Sequence, residues 1–370
     1  MPKRIVFLLA SLRGGGAERV FVLVANEMAA RGHDVTLLTW NGEGPNAALV
    51  ASSVRLIDFD LPLKGEGYGK PTTLKGLFQT ARLLRSLAPD AVFSAPEFVN
   101  LLAAAALILG GSRARFFPTF HAASALTADR LGSRIAHAMS SLVAARATKA
   151  IAVSTGVGRE LVARGYPAAK VTVIHNPLPQ AVAASDQSHG WRQDLAAMGA
   201  GPIIVTAGRL VPVKDHRTLL DAFALLRAKQ PARLVIFGEG PLDGELRVQA
   251  RQAGIGDAVL FAGYVNDPQA CYAVADLFVL SSTSEGFGNV LVEAMAAGVP
   301  VVSTDAPHGP REILDNGRYG MLVPVGDAPA LAEAMAHMLD NPTPEAELKR
   351  RAADFGITPI GDRYEALLHD

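Results

Sequence analysis

Short apolar runs alternate with amphipathic helical stretches along the whole of this 370-residue chain, and the alternation breaks once near the middle and starts again. Residues 5–10, 35–40 and 91–94 read as strands, with helices over 17–31 and 72–87 between them, and 116–121 and 150–154 follow as later strands. After the break the pattern resumes with strands at 203–207, 233–237, 259–262 and 299–303 and helices at 215–230, 243–254 and 268–275. Strand runs that are apolar throughout, each followed by a helix, require parallel sheets covered on both faces. The length suits two such domains, each with its own core. The first is expected over 1–180 and the second over 181–354, with the polar stretch up to His189 as the hinge.

Composition excludes several classes. With 49% hydrophobic and 6% aromatic residues the chain is neither disordered nor fibrous. Its most apolar stretch, 99–109, is far shorter than the ~20 residues a bilayer span needs. The opening residues imitate a signal peptide, but the apolar part is brief and runs into Arg13 and three glycines, so it reads as a first buried strand. A single cysteine, Cys271, rules out an internal disulfide and points to a reducing cytoplasm. Net charge is zero overall, yet residues 1–180 hold 20 Lys and Arg against 11 Asp and Glu, while 181–370 hold 15 against 24. The basic half either meets an anionic surface, such as the inner face of a membrane, or attracts the acidic half. Two helical segments could carry a membrane contact: 74–85 with Lys75, Arg82 and Arg85, and 130–149 with Arg134 and Arg146. Packing of their apolar faces into the domain core is the competing explanation. No basic stripe with interleaved aromatics marks a nucleic-acid partner.

The segment 281–293 carries the most chemistry. A strand leads into a loop containing Glu285, Gly286, Phe287 and Gly288, and a helix follows from Val290 until Gly298 stops it. Loop amides at a helix start favour a phosphate or an oxygen-rich ligand. Glu285 and Glu293, about two helical turns apart, frame that opening, and a carboxylate can accept from both hydroxyls of a sugar diol. Arg209 and Lys214 follow the strand at 203–207, at the carboxyl end where such sheets bind ligands, and could neutralise a departing diphosphate. Gly14, Gly15 and Gly16 fail as a dinucleotide fingerprint, because Arg19 stands where a third glycine belongs and the next strand ends without an acidic residue. Their backbone can still approach a phosphate or sugar. Asp58 and Asp60 imitate a metal-binding Asp-x-Asp pair but fall in a surface strand, and no histidine spacing suggests a metal. Residues 307–314 form either a structural turn or a ligand contact.

Four ordered blocks, Gly14 to Arg19, Gly208 to Lys214, Gly238 to Pro241 and Ser281 to Glu293, resemble glycosyltransferase family 4 over nearly the whole chain. The resemblance implies a GT-B fold: two Rossmann-like domains facing each other across a deep cleft, the first on the acceptor side and braced by a terminal helix within 355–370, the second binding the donor. It implies a retaining hexosyltransferase that needs no metal or other cofactor. The donor would be a nucleotide diphosphate sugar, expected to be UDP-linked, and the acceptor a glycan or a lipid-linked sugar in bacterial surface polysaccharide synthesis. Arg209 and Lys214 would hold the diphosphate, Glu285 the sugar and Glu293 the ribose, with His121 beside the reacting carbon. Donor contacts would extend over Gly286, Phe287, Gly288, Asn289, Val290 and Leu291, with Gly15, Gly16 and Gly208 nearby, while Gly238, Leu242, Tyr264 and Val265 would surround the nucleoside. The rival functions are a GT-B epimerase or phosphorylase and a sugar-nucleotide-binding protein without catalysis. The particular sugar, the linkage and the oligomeric state have no signature in the sequence.

Overall fold

The computed structural model describes residues 1–13, 15–63, 68–121, 139–178, 190–265 and 268–369. Gly14, Arg130, Arg134 and the expected hinge up to His189 lie outside them. The chain divides into two compact units, Met1–Pro179 with Gly356–Asp370, and Gln180–Phe355.

In the first unit the order is β1 (Arg4–Ser11), α1 (Gly16–Ala30), β2 (Asp34–Asn41), β3 (Arg55–Asp58), α2 (Lys70–Leu87), β4 (Ala91–Ser94), α3 (Glu97–Leu109), β5 (Arg115–Phe120), α4 (Ser140–Arg146), β6 (Ala150–Ala152), α5 (Thr155–Ala163) and β7 (Val171–Val173). All pairings are parallel, in the order β3-β2-β1-β4-β5-β6-β7. The central strands are buried on both faces, which is why Ile5 to Leu9 is apolar without alternation. Phe7 stacks on Phe93, and Phe93 on Phe117, across β1, β4 and β5.

The second unit runs α6 (Gly190–Ala197), β8 (Ile203–Ala207), α7 (His216–Arg227), β9 (Arg233–Phe237), α8 (Asp243–Gln252), β10 (Val259–Gly263), α9 (Pro268–Tyr272), β11 (Leu277–Leu280), α10 (Asn289–Ala296), β12 (Val301–Thr304), α11 (Pro310–Ile313), β13 (Met321–Val323), α12 (Ala328–Asp340) and α13 (Glu345–Ala353). Its six parallel strands are ordered β10-β9-β8-β11-β12-β13. Two doubly wound parallel sheets are the α/β architecture expected from the alternation.

The last helix, α14 (Ile357–Ala366), belongs to the first unit and packs on α1. Arg31 fixes it by donating to Glu27, Asp362 and Glu365 and to the Thr358 carbonyl. Tyr364 fills the core beneath Phe93, and Arg363 donates to the Val173 carbonyl. His33 is buried there and accepts from the Lys3 amide. One sequence expectation changes here. Arg146, taken as a cation for a membrane surface, donates to the carbonyls of Ser112 and Ala114, so it ties α4 to the start of β5 instead of facing an anionic surface.

Candidate active site

Winding of the second sheet reverses between β8 and β11, and open α/β sheets take their ligands at the carboxyl ends of strands at such a reversal. Both loops leaving this point hold residues singled out in the sequence. After β8 the chain passes Gly208 and Arg209, and a 3-10 turn over Pro212–Lys214 lays the Lys214 stem back over Gly208. After β11 come Ser281, Ser282 and Thr283, which stitch the second loop to the first. Ser281 Oγ donates to the Lys214 carbonyl at 2.9 Å, and the Thr283 amide donates to the Val213 carbonyl at 2.8 Å. From β12, Thr304 Oγ1 donates to the Ser282 carbonyl at 2.6 Å.

Glu285 sits at the centre of this weave, 8% exposed. Its Oε1 accepts from Lys214 Nζ at 2.5 Å and from Ser282 Oγ at 2.6 Å. Burying a carboxylate without such partners costs several kcal/mol, so the pair holds both loops in place as well as presenting charge. The Glu285 amide donates to the Pro307 carbonyl at 3.2 Å, which makes the turn at 307–309 a backbone support for this residue. Arg209 is exposed beside the pair's loop and has no acidic partner among the described residues.

Gly288, at φ +105°, turns the loop into α10, so the amides of the first turn, at Asn289 and Val290, open onto the same end of the sheet. About one turn on, Glu293 Oε2 accepts from the Tyr272 hydroxyl at 2.9 Å, and the buried Tyr272 ring is held edge-on by Phe278. Tyr272 and Ser282 thus aim the two carboxylates that the sequence identified. Sequence spacing could not reveal the first of them, because α9 and α10 meet only in the fold.

The loops after β8 and β9 also run together. A Cβ on Gly238, whose φ is +135°, would stand 1.9 Å from the Gly208 carbonyl oxygen, so no other residue fits there. Leu210 donates to the Glu239 carbonyl, and Leu242, at the start of α8, donates back to Leu210. Tyr264 and Val265 follow β10 at the same end of the sheet, the tyrosine largely exposed.

In the first unit, Gly15 caps α1 and Glu18 folds back over it, its carboxylate 2.0 Å from where a Gly15 Cβ would stand. That helix start, with Gly16 as its first residue, already carries a negative charge, and an incoming phosphate would meet a like charge there. His121 follows β5, with its ring edge-on to Phe21 at 5.7 Å. Burial pushes its pKa down to about 4, with the Asn176 side chain alongside pulling the other way. The imidazole is therefore neutral near pH 7, able to offer a hydrogen bond but not a charge. A second histidine that the sequence did not single out, His216 at the start of α7, is driven to about 4 by burial and by the charge of Lys214. Asp58 accepts from Thr39 Oγ1 and from the Asp60 amide, and no cluster of metal-ligating side chains occurs among the described residues. Cys271 is buried.

Two family models match successive parts of the chain: Glycosyltransferase Family 4 over residues 14–180 and Glycosyl transferases group 1 over 188–355. The chain is 28% identical to the lipopolysaccharide core biosynthesis glycosyltransferase LpsE of Rhizobium meliloti, over 96% of both proteins. It is 34% identical to a Campylobacter jejuni N-acetylgalactosaminyltransferase acting on a diphospho-undecaprenol glycan, over 40% of each. Among solved structures, Anabaena HepE in complex with UDP and glucose superposes with a TM-score of 0.81 at 21% identity, covering 100% of both chains. The lipopolysaccharide outer core galactosyltransferase WaaB gives 0.75 at 19%, covering 98% of each. With both halves matched in order by glycosyltransferase models, and with this architecture, the chain belongs to the glycosyltransferases of GT-B fold.

Proposed function

We propose that this protein is a retaining, metal-independent transferase that moves a hexose or N-acetylhexosamine from a UDP-sugar to a hydroxyl of a glycan or lipid-linked acceptor in bacterial surface polysaccharide synthesis. The observation that carries the reading is the contact of Lys214 with Glu285 at the sheet's reversal point, beside the start of α10. An ammonium suited to a phosphate oxygen and a carboxylate suited to a sugar hydroxyl are thereby held side by side at one end of the sheet. The names of LpsE and the Campylobacter enzyme support the polysaccharide assignment, and the UDP bound by HepE supports the base.

In this reading Arg209, Lys214 and the amides of Gly288, Asn289 and Val290 take up the charge of the departing diphosphate, which paired cations can do without a metal. Glu293, aimed by Tyr272, accepts from the ribose hydroxyls. Glu285 accepts from hydroxyls of the donor sugar. The bond from the anomeric carbon to the β-phosphate oxygen breaks while the acceptor oxygen bonds to the same face. The acceptor's proton passes to the departing phosphate oxygen, so no carboxylate forms a covalent intermediate, unlike the retaining hydrolases.

Thermal unfolding against a panel of nucleotide sugars tests this reading. In excess EDTA a UDP-hexose or UDP-N-acetylhexosamine at a hundred times its Kd should stabilise the donor unit by about 2.7 kcal/mol. Stabilisation by GDP- or ADP-sugars alone would overturn the base, and binding or turnover that vanishes in EDTA and returns with manganese would overturn the metal-independent mechanism.

A further inference from the structure

We infer that the outward face of α2, with the exposed end of α3, is a docking surface for a bilayer rich in anionic lipid. The rotation of α2 about its axis is fixed from beneath. Gly76 lies so close to the sheet that a Cβ there would stand 2.8 Å from Leu61 Cδ1 and 2.9 Å from the Trp40 ring, and Trp40 Nε1 donates to Thr80 Oγ1 at 3.0 Å. With Gly76, Thr80, Ala81 and Leu84 facing inward, helical periodicity turns residues 74, 75, 78, 82 and 85 outward. The apolar side chains on that outer stripe therefore do not pack into the core: Leu74 is 56% exposed and Phe78 62%.

Charge identifies the partner. α2 contains Lys70, Lys75, Arg82 and Arg85 and no carboxylate, and all four cations are exposed. α3 lies on the same side of the sheet, since the connections β3 to β4 and β4 to β5 advance in one direction and right-handed crossovers put both helices on one face. Its end abuts α2, where a Cβ on Gly110 would stand 2.7 Å from the Ala81 carbonyl oxygen. There Ile108 is 51% and Leu109 56% exposed, and the exposed Arg113 follows. A solvated helix face would mix both signs of charge and hide its large apolar residues. Exposed Leu and Phe on a helix whose charged residues are all cations suit a headgroup layer, where the apolar groups enter the acyl boundary and the cations meet lipid phosphates.

Vesicle cosedimentation with the full chain tests this independently of the transfer reading, because neither donor nor acceptor is needed. The protein should bind phosphatidylglycerol-containing vesicles, bind pure phosphatidylcholine at least tenfold more weakly, and be released by salt. Each cation near an anionic surface is worth about fivefold in affinity. Reversing Lys75, Arg82 and Arg85 to glutamate should therefore weaken binding by about a hundredfold or more, with UDP affinity unchanged. Phe78→Trp supplies a second readout, a blue shift of its emission on adding anionic vesicles. Equal binding to both vesicle types, no binding to either, or a Phe78→Trp emission that vesicles leave unmoved would overturn the proposal. So would a concentration-dependent dimer that Phe78→Ser abolishes without any vesicle effect.

Discussion

Replacing Arg209 or Lys214 by alanine should each lower turnover by about a hundredfold or more, because each removes charge stabilisation realised mainly as the diphosphate departs. The two variants should differ in stability. Lys214 neutralises a buried carboxylate, so Lys214→Ala leaves Glu285 with only Ser282 and should cost up to about 3 kcal/mol in unfolding experiments. Arg209 is exposed and without an acidic partner among the described residues, so Arg209→Ala should melt with wild type. Steady-state kinetics paired with thermal unfolding separates the roles. Turnover within threefold of wild type in both variants would remove the pair from the chemistry, and an unchanged midpoint in Lys214→Ala would contradict the structural role of the ion pair.

Acid should destabilise the fold through two histidines. Above pH 6.5 His121 and His216 are neutral whether folded or unfolded and contribute nothing to the pH dependence. Below it the unfolded chain takes up protons that the folded state, with both pKa values pushed to about 4, refuses. Stability is therefore complete above 6.5 and falls as the pH drops towards 4, by up to about 3 kcal/mol for each histidine. Urea unfolding at pH 7.5 and 4.5 measures the loss. His121→Gln and His216→Gln should each flatten the dependence by close to one proton, His121 in the first unit and His216 in the second. A wild type equally stable at both pH values, or variants with the wild-type slope, would show that neither imidazole is held neutral by the fold.

Much of the candidate site's backbone layout was legible because its parts are local. A strand, a glycine-bearing loop and a helix closed by Gly298 lie in one continuous stretch, although the interval from Glu285 to Glu293 is loop as far as Gly288 and helix only from Asn289, so it is not the two helical turns that the spacing suggested. The two-sheet architecture was readable for a similar reason, since fully buried strands lose their alternation. What escaped is long-range. The strand order that puts β8 next to β11 has no signature in either strand, and Tyr272 reaches Glu293 only because two short helices meet. Strands β7 and β13 span three residues each, too few for any periodicity to register. The cations of the first unit divide by partner, with Arg146 bound to carbonyls and Arg82 left to solvent, and composition counts both alike.

Calorimetric titration in EDTA with three ligands, UDP, uridine and 2′,3′-dideoxy-UDP, tests the central claim, that one end of the second sheet reads diphosphate and ribose through separate side chains. Lys214→Ala should weaken UDP at least tenfold and leave uridine within twofold. Glu293→Gln should weaken both UDP and uridine about tenfold, the worth of a hydrogen bond to a charged group, and leave dideoxy-UDP unaffected because no diol remains to be read. If Lys214→Ala weakens uridine as much as UDP, or Glu293→Gln weakens dideoxy-UDP as much as UDP, the side chains do not divide the nucleotide in this way and the account of the site is wrong.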